Sequence, residues 1–320
     1  MMLRILLSYL AQAVWARRIV QSWGFARKMS ARFVAGETLD QAVDVVKELN
    51  KRGINATLDH LGENVFTEED ARQSADEILT LIDKLKHEGV TSGVSIKLSQ
   101  IGLVVDPALC EENLLKILER AKSKNIFIRV DMEDSSLTEK TLDLFTRTRN
   151  QGYHSIVGIA IQSYLYRTED DVHKLLETSS KIRLCKGAYK EPQAIAFPKK
   201  SDVDANFDKI TEILLDKSLA EESRISADGS FPPIPAIGTH DVDRINYALD
   251  YAKSINLPMQ GLEIQMLHGI RINLQDQLAK QGYPVRVYVP YGSEWYPYFV
   301  RRLAERPANL WFFLTNLFRS

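Results

Sequence analysis

Short apolar runs rich in β-branched residues recur at positions 54–59, 93–98, 126–131, 156–161, 181–185, 234–239, 262–266 and 285–289, and they predict strands. Helix-length stretches of mixed polar and apolar residues separate them. Four of these stretches open on helix-start signals: Thr67-Glu68-Glu69-Asp70, Asp106-Pro107, Ser136-Leu137-Thr138-Glu139 and Thr168-Glu169-Asp170-Asp171. In each, a short polar side chain can cap the free amides of the first turn, or a proline opens it. Strands that alternate with helices imply a parallel sheet, because parallel neighbours need long crossovers. Eight such units predict an α/β fold closed into a (βα)8, TIM-like barrel. An open doubly wound sheet is the alternative, weakened because no G-x-G-x-x-G follows the first strand.

Two further apolar segments flank the strands. Leu3, Leu6, Leu7, Leu10 and Val14 recur at helical spacing and predict an amphipathic helix. The 12 uncharged residues between Arg4 and Arg17 are too few to span a bilayer. A signal peptide is the alternative there, on Ala11-Gln12-Ala13, but Ser8 and Gln12 dilute its apolar stretch. Such a helix covers a protein core more often than a membrane. At the other end Leu310, Trp311, Phe312, Phe313, Leu314, Leu317 and Phe318 need burial, a second copy or a lipid surface. The expected organisation is a single domain over 1–320, with a helical segment at 1–50, the barrel at 54–292, and a C-terminal helix and apolar tail at 294–320 over the barrel mouth.

Composition narrows the function classes. With 45% hydrophobic and 26% charged residues the chain has the make-up of a globular protein, and a net charge of −1 gives no basic domain for nucleic acid. Cys110 and Cys185 make neither a disulfide framework nor a zinc site, which points to a reducing, cytoplasmic compartment. The six histidines lack metal-ligand spacing, which argues against a metal. No G-x-S-x-G or Cys/His arrangement supports a nucleophilic hydrolase.

A barrel places its chemistry at the C-terminal ends of the strands. Those positions hold Asp59 and Glu63, Lys97, Asp131, Gln162, Arg183 and Lys186, Thr239 and His240, Gln265, and Tyr288. Polar groups beside apolar strands are costly unless paired, so one at every strand end marks a site. Lys97, Arg183, Lys186, Arg301 and Arg302 bring cations to that mouth and favour an anionic ligand. Small residues in Lys186-Gly187-Ala188-Tyr189 let backbone amides approach a phosphate or a polarised ring. Guanidinium groups grip carboxylates bidentately, which suits Arg301-Arg302 to a small carboxylic acid, although an arginine pair alone is more often a solvated helix face. Asp131, after Phe127-Ile128-Arg129-Val130, reads equally as a site carboxylate and as a structural acceptor. His240 reads as a site residue or as an inconsequential residue at a helix start.

The motifs taken in order resemble the proline dehydrogenase family: Val94-Ser95-Ile96-Lys97-Leu98-Ser99, Arg129-Val130-Asp131-Met132-Glu133, Ile182-Arg183-Leu184-Cys185-Lys186-Gly187-Ala188-Tyr189, Gly238-Thr239-His240-Asp241, Glu263-Ile264-Gln265-Met266-Leu267-His268-Gly269, Arg286-Val287-Tyr288-Val289-Pro290-Tyr291-Gly292, and Tyr298-Phe299-Val300-Arg301-Arg302-Leu303-Ala304-Glu305 with Asn309. They run from about Leu58 to Asn309; each is modest alone and the ordered set is specific. The length is similar to the monofunctional bacterial type and leaves no room for an aldehyde dehydrogenase module.

The resemblance implies a distorted barrel that binds FAD non-covalently, oxidises L-proline to Δ1-pyrroline-5-carboxylate and passes electrons to a membrane quinone, with peripheral membrane contact through an apolar end. It implies that Lys97, Arg301 and Arg302 clamp the proline carboxylate while Tyr288, Tyr298 and Leu267 wall the ring. Arg183 would lie beside the flavin edge, with Asp131 orienting Tyr288, and these two are the expected catalytic residues. Met132, Gln162, Lys186, Gly187, Ala188, Thr239 and His240 would join Arg183 in holding the cofactor, and Glu63 would pair with Arg301 as a gate. Met266, and Lys190-Glu191-Pro192 after Tyr189, depart from the family pattern beside the flavin site. Two other readings stay open: a Schiff-base aldolase or lyase using Lys97 or Lys186, and a non-catalytic peripheral membrane scaffold.

Overall fold

The computed structural model describes residues 30–62 and 65–305. Glu63, Asn309, both terminal apolar segments and the side chain of Arg301 lie outside the described residues.

Eight parallel strands close into a barrel in chain order: β1 (Asn55–His60), β2 (Ser92–Ile96), β3 (Ile128–Val130), β4 (Val157–Gln162), β5 (Lys181–Cys185), β6 (Pro235–Gly238), β7 (Glu263–Leu267) and β8 (Val285–Tyr291). β8 returns to β1 with Ala56 opposite Val287 and Thr57 opposite Tyr288. The predicted barrel therefore stands, and the open sheet does not.

Nine helices are described: α1 (Leu39–Lys51) before β1, then α2 (Glu68–Glu88), α3 (Pro107–Lys124), α4 (Ser135–Arg149), α5 (Thr168–Glu177), α6 (Lys200–Ala220), α7 (Val242–Ser254), α8 (Ile272–Lys280) and α9 (Trp295–Glu305), one after each strand. α1 packs on β1 and β8 and covers the seam where the barrel closes.

Two helix starts follow their signals. Thr67 and Asp70 form a reciprocal capping box at α2, and Asp106 caps α3 with Pro107 in its first turn. Two do not. α4 starts one residue before the predicted Ser136, capped by Asp134, whose carboxylate accepts from Ser136 N at 2.9 Å. At α5 the Thr168 hydroxyl does not cap; it donates to Gln162 O at 2.5 Å and fastens the helix to the end of β4. At α4 a neighbouring local cap has displaced the predicted one, and at α5 contact with β4 has overridden the local signal.

Alternation along each strand sorts side chains into two sets. Leu58, Val94, Ile96, Ile128, Val130, Ile159, Ile161, Ile182, Leu184, Ile264, Val287 and Val289 form the apolar set, fully or almost fully buried in the core under the helices. The alternate set faces the barrel interior, where branched apolar residues usually stack in layers. Here it holds Thr57, Asp59, Ser95, Arg129, Gln162, Arg183, Glu263, Gln265 and Arg286, all buried. Gly158, opposite Arg129 on the neighbouring strand, makes room for this: a Cβ there would lie 2.6 Å from Arg129 Nη1 and 2.4 Å from Lys181 O. The barrel centre is a polar column, and its upper end is the candidate site.

Candidate active site

Asp131, the first residue past β3, stands between two partners. Its Oδ1 accepts from Arg183 Nη2 at 2.8 Å and its Oδ2 from the Tyr288 hydroxyl at 2.9 Å. Arg183 Nη2 also donates to Ser95 Oγ at 2.8 Å, and its guanidinium lies 5.3 Å from the centre of the Tyr288 ring. Three strands thus hold one planar cation in a fixed orientation. Burial works against that charge, but Asp131 leads the neighbours that outweigh it, so the Arg183 pKa is raised. Burial, then the Asp131 and Asp59 charges, push the Tyr288 hydroxyl well above its ordinary value, so it remains a phenol donor at neutral pH.

Lys97, the first residue past β2, is 8% exposed and its ammonium donates to Asp59 at 3.2 and 3.1 Å. Asp59 is 1% exposed, which makes the pair a buried one that needs both members. Lys186 donates to Asp241 Oδ2 at 2.6 Å and to Asp204 Oδ1. The described cations of the mouth are therefore not a bare positive surface; Lys97, Arg183 and Lys186 each face a carboxylate. Asp204, Asp241 and Ser95 had no assigned role in the sequence reading, nor had the buried interior charges Arg129, Glu263 and Arg286. The signal for the interior charges lay in the period-two placement of Arg129 with Asp131, Glu263 with Gln265, and Arg286 with Tyr288.

The opposite rim is built from backbone. Gln162 Nε2 donates to Glu133 O at 2.8 Å, and Ala188 N donates to Gln162 Oε1 at 3.3 Å. Met132 is buried beside them. Glu133 in turn accepts from Ser99 N at 3.1 Å and from the Ser99 hydroxyl, which joins the loops after β2 and β3. Gly187 has φ +121°, and a Cβ there would lie 2.4 Å from the Tyr164 ring. Both conformation and space call for glycine. His240 Nε2 accepts from Leu267 N at 2.8 Å and Thr239 Oγ1 from Asp241 N at 3.1 Å, so these two residues brace the rim between β6 and β7. Glu191, in the stretch that departs from the family pattern, accepts from Ser135 N at 2.8 Å and from the Ser135 hydroxyl at 2.6 Å, tying the loop after β5 to α4.

α9 leaves the rim through Gly292 and is anchored by apolar packing: Trp295 on Phe299 at 5.9 Å, Phe299 on Phe33 at 6.3 Å, and Trp295 Nε1 donating to Glu37 at 3.2 Å. Tyr298 is buried, and the Arg302 guanidinium lies 5.1 Å from the centre of its ring, one helical turn away. Arg302 is thus half-buried against an aromatic face, which removes the reading of a freely solvated helix side for this member of the pair. The Glu63–Arg301 gate falls outside the described residues.

A family model described as proline dehydrogenase matches residues 42–313, a span that takes in all eight strands and the mouth. The chain belongs to the proline dehydrogenase family. It is accordingly an oxidoreductase, and its family, not a Schiff-base lyase, accounts for Lys97 and Lys186, each paired with a carboxylate. Among relatives, it is 38% identical over 304 residues to proline dehydrogenase 2 of Bacillus subtilis, covering 95% of each chain. To proline dehydrogenase 1 of the same organism it is 37% identical over 319 residues, covering 100% of each, and to the Deinococcus radiodurans proline dehydrogenase 36% identical over 91% of each. The proline utilization A protein of Bdellovibrio bacteriovorus, in a crystal structure of the form inactivated by N-propargylglycine, superposes with a TM-score of 0.77 at 27% identity. That match covers 87% of this chain and 32% of the other, so the proline dehydrogenase family member described here spans about a third of that longer protein. No described helix is long and apolar enough to cross a membrane.

Replacing Gly187 by alanine is expected to leave the barrel folded but to break the hydrogen bond from Ala188 N to Gln162. The Cβ would strain the backbone and strike Tyr164, displacing the Ala188 amide. A crystal structure of the variant checks this; an unchanged contact from Ala188 N to Gln162 Oε1 would show that the turn tolerates a Cβ.

Proposed function

We propose that the chain oxidises L-proline to Δ1-pyrroline-5-carboxylate by hydride transfer to FAD, and that the electrons pass on to a membrane quinone. The observation that carries this is the Asp131 bridge, which holds the Arg183 cation and the Tyr288 phenol side by side at the mouth of the barrel.

The residues present fit a flavin. A buried cation locked by Asp131 and Ser95 suits the cofactor edge that gains charge on reduction. The Gly187-Ala188 turn, where a Cβ would have no room, lets backbone come close to a planar ring or a phosphate. Gln162 and Met132 would flank the ring system, while Lys186, Thr239 and His240 would hold the remainder from the β5 and β6 rims. When bound, FAD supplies the hydride acceptor.

The chain's own side chains position the substrate. Arg302 and Arg301 from α9 and Lys97 from β2 would grip the carboxylate of proline, which fixes the distance at the other end of the ring. Asp59 pairs with the Lys97 ammonium and holds it in place. Tyr288, Tyr298 and Leu267 would wall the pyrrolidine ring, and the tyrosine hydroxyl held on Asp131 favours proline over a ring carrying an extra hydroxyl. Glu63 paired with Arg301 would close the site between turnovers. Contact with lipid through a terminal apolar segment would serve delivery of electrons to the quinone.

Purified protein is expected to show the two visible bands of an oxidised flavin, to bleach on addition of L-proline under anaerobic conditions, and to reduce a dye in proportion to proline. Colourless protein with no proline-dependent dye reduction, even after incubation with FAD, would sink this function.

A further inference from the structure

Below the mouth, Arg129 on β3, Arg183 on β5, Gln265 on β7 and Arg286 on β8 close around a cavity of about 10 Å³. Their exposures are 2%, 6%, 5% and 2%, so bulk water does not reach them. Three buried polar atoms of these side chains have no hydrogen-bond partner among the described residues: Arg129 Nη2, Arg183 Nε and Gln265 Oε1. Neighbouring groups on the same side chains are engaged. Arg129 Nη1 donates to Ile159 O at 3.1 Å and Lys181 O at 2.6 Å, Arg183 Nη2 to Ser95 and Asp131, and Gln265 Nε2 to Glu263 Oε1 at 2.5 Å.

An orphaned buried polar atom is rare, and three on side chains that line one small cavity are not independent. Two are donors and one is an acceptor. A water molecule matches that set: its lone pairs accept from the two guanidinium groups and one of its hydrogens goes to the amide oxygen. The volume is that of a single water. A small anion would satisfy the arginines, but it would face Gln265 Oε1. That orientation of the amide is set by Glu263, since a flipped amide would oppose two acceptors.

We propose that this cavity binds one buried water that links Arg129 Nη2 and Arg183 Nε to Gln265 Oε1, and that Gln265 is thereby a positioning residue for Arg183. Asp131 and Ser95 hold the guanidinium from above, at Nη2; the water holds it from below, at Nε. With both ends tied, Arg183 keeps one orientation toward the mouth, and the polar column below becomes part of the site's support. The water itself stands independently of the proposed function; the effect of Gln265 on turnover rests on it.

A crystal structure of the wild-type protein at a resolution that shows ordered water decides the first half. One density peak is expected at about 2.7–3.2 Å from all three atoms. An unfilled cavity overturns the proposal, and so does an anomalous peak at that position after a bromide soak, which would make the site one for an anion. The variant Gln265→Met keeps the length of the side chain and removes the acceptor. It is expected to lose or displace the water, to rotate the Arg183 guanidinium, and to shift the midpoint potential of bound flavin. Its kcat with proline should fall about tenfold, the scale of one lost hydrogen bond, with KM unchanged because the carboxylate clamp is untouched. If the water is present but potential and kcat match the wild type, the positioning role is overturned. If the wild-type protein binds no flavin, the proposed function fails while the density in the cavity still decides whether the water is there.

Discussion

Replacing Arg302 by methionine is expected to raise the KM for proline by about two to three orders of magnitude, since breaking a desolvated carboxylate–guanidinium pair costs about 2–5 kcal/mol and each factor of ten is about 1.4 kcal/mol. Arg302 lies four residues beyond Tyr298, on the same face of α9, and its guanidinium stands 5.1 Å from the centre of that ring. In the proposed clamp this guanidinium, held against the ring, would meet the carboxylate of proline. Methionine retains the apolar stem over Tyr298 and removes only the charge and the donors. The helix anchor through Trp295, Phe299 and Phe33 is untouched, so the folded state should survive. The check is steady-state kinetics with proline as the varied substrate, alongside cofactor content. A KM like that of the wild type would remove Arg302 from the clamp.

The largest effect on stability is expected at a residue far from the mouth. Glu263→Ala should lower the unfolding free energy by about 3–5 kcal/mol, the cost of leaving a buried charge without its partner. Glu263 is 0% exposed and Arg286 is 2% exposed; Arg286 Nε donates to both carboxylate oxygens at 3.0 and 3.1 Å, and its other nitrogens reach Ala56 O and Gly229 O at 2.8 and 2.7 Å. Without the carboxylate, Arg286 shares the lower barrel with Arg129 and Lys181. Burial, then the charge of Arg129, already lowers the Lys181 pKa to about 8, and the Glu263 charge is what opposes that shift.

The sign of the pH dependence follows. The unfolded chain binds the Lys181 proton more tightly than the folded one, so wild-type stability rises with pH from about 8 toward 10.5. Loss of Glu263 extends that slope to lower pH. Urea unfolding of the variant at neutral and alkaline pH measures both effects. Replacing Glu263 and Arg286 together by methionine should recover much of the loss, because an apolar pair leaves no unmatched charge. Equal instability in the double variant would show that packing, and not the ion pair, is what matters there.

Much of this protein was legible from local pattern. The eight strands stand where β-branched runs predicted them, within two residues at every end, because each run is bounded by turn and capping chemistry. Asp106-Pro107 and the Thr67–Asp70 box began their helices as read, since capping involves only neighbouring residues. The ordered motifs from Leu58 to Asn309 carried the family, and the polar residue at each strand end marked the mouth.

What escaped the pattern depended on long-range pairing. Thr168 looked like a cap, but its hydroxyl went to a carbonyl of β4, a partner that exists only once that strand and α5 meet. The cationic mouth inferred from Lys97, Arg183 and Lys186 proved to be ion-paired with Asp59, Asp131, Asp204 and Asp241, carboxylates from 18 to 55 residues away. A strand's alternation tells which of its residues share a face. Only closure of the barrel, with its particular register, decides which of those faces meet. Alternation thus determined that Arg129 shares a face with Asp131, Gln265 with Glu263 and Arg286 with Tyr288; the tertiary structure alone decided that these faces and that of Arg183 would point at one another.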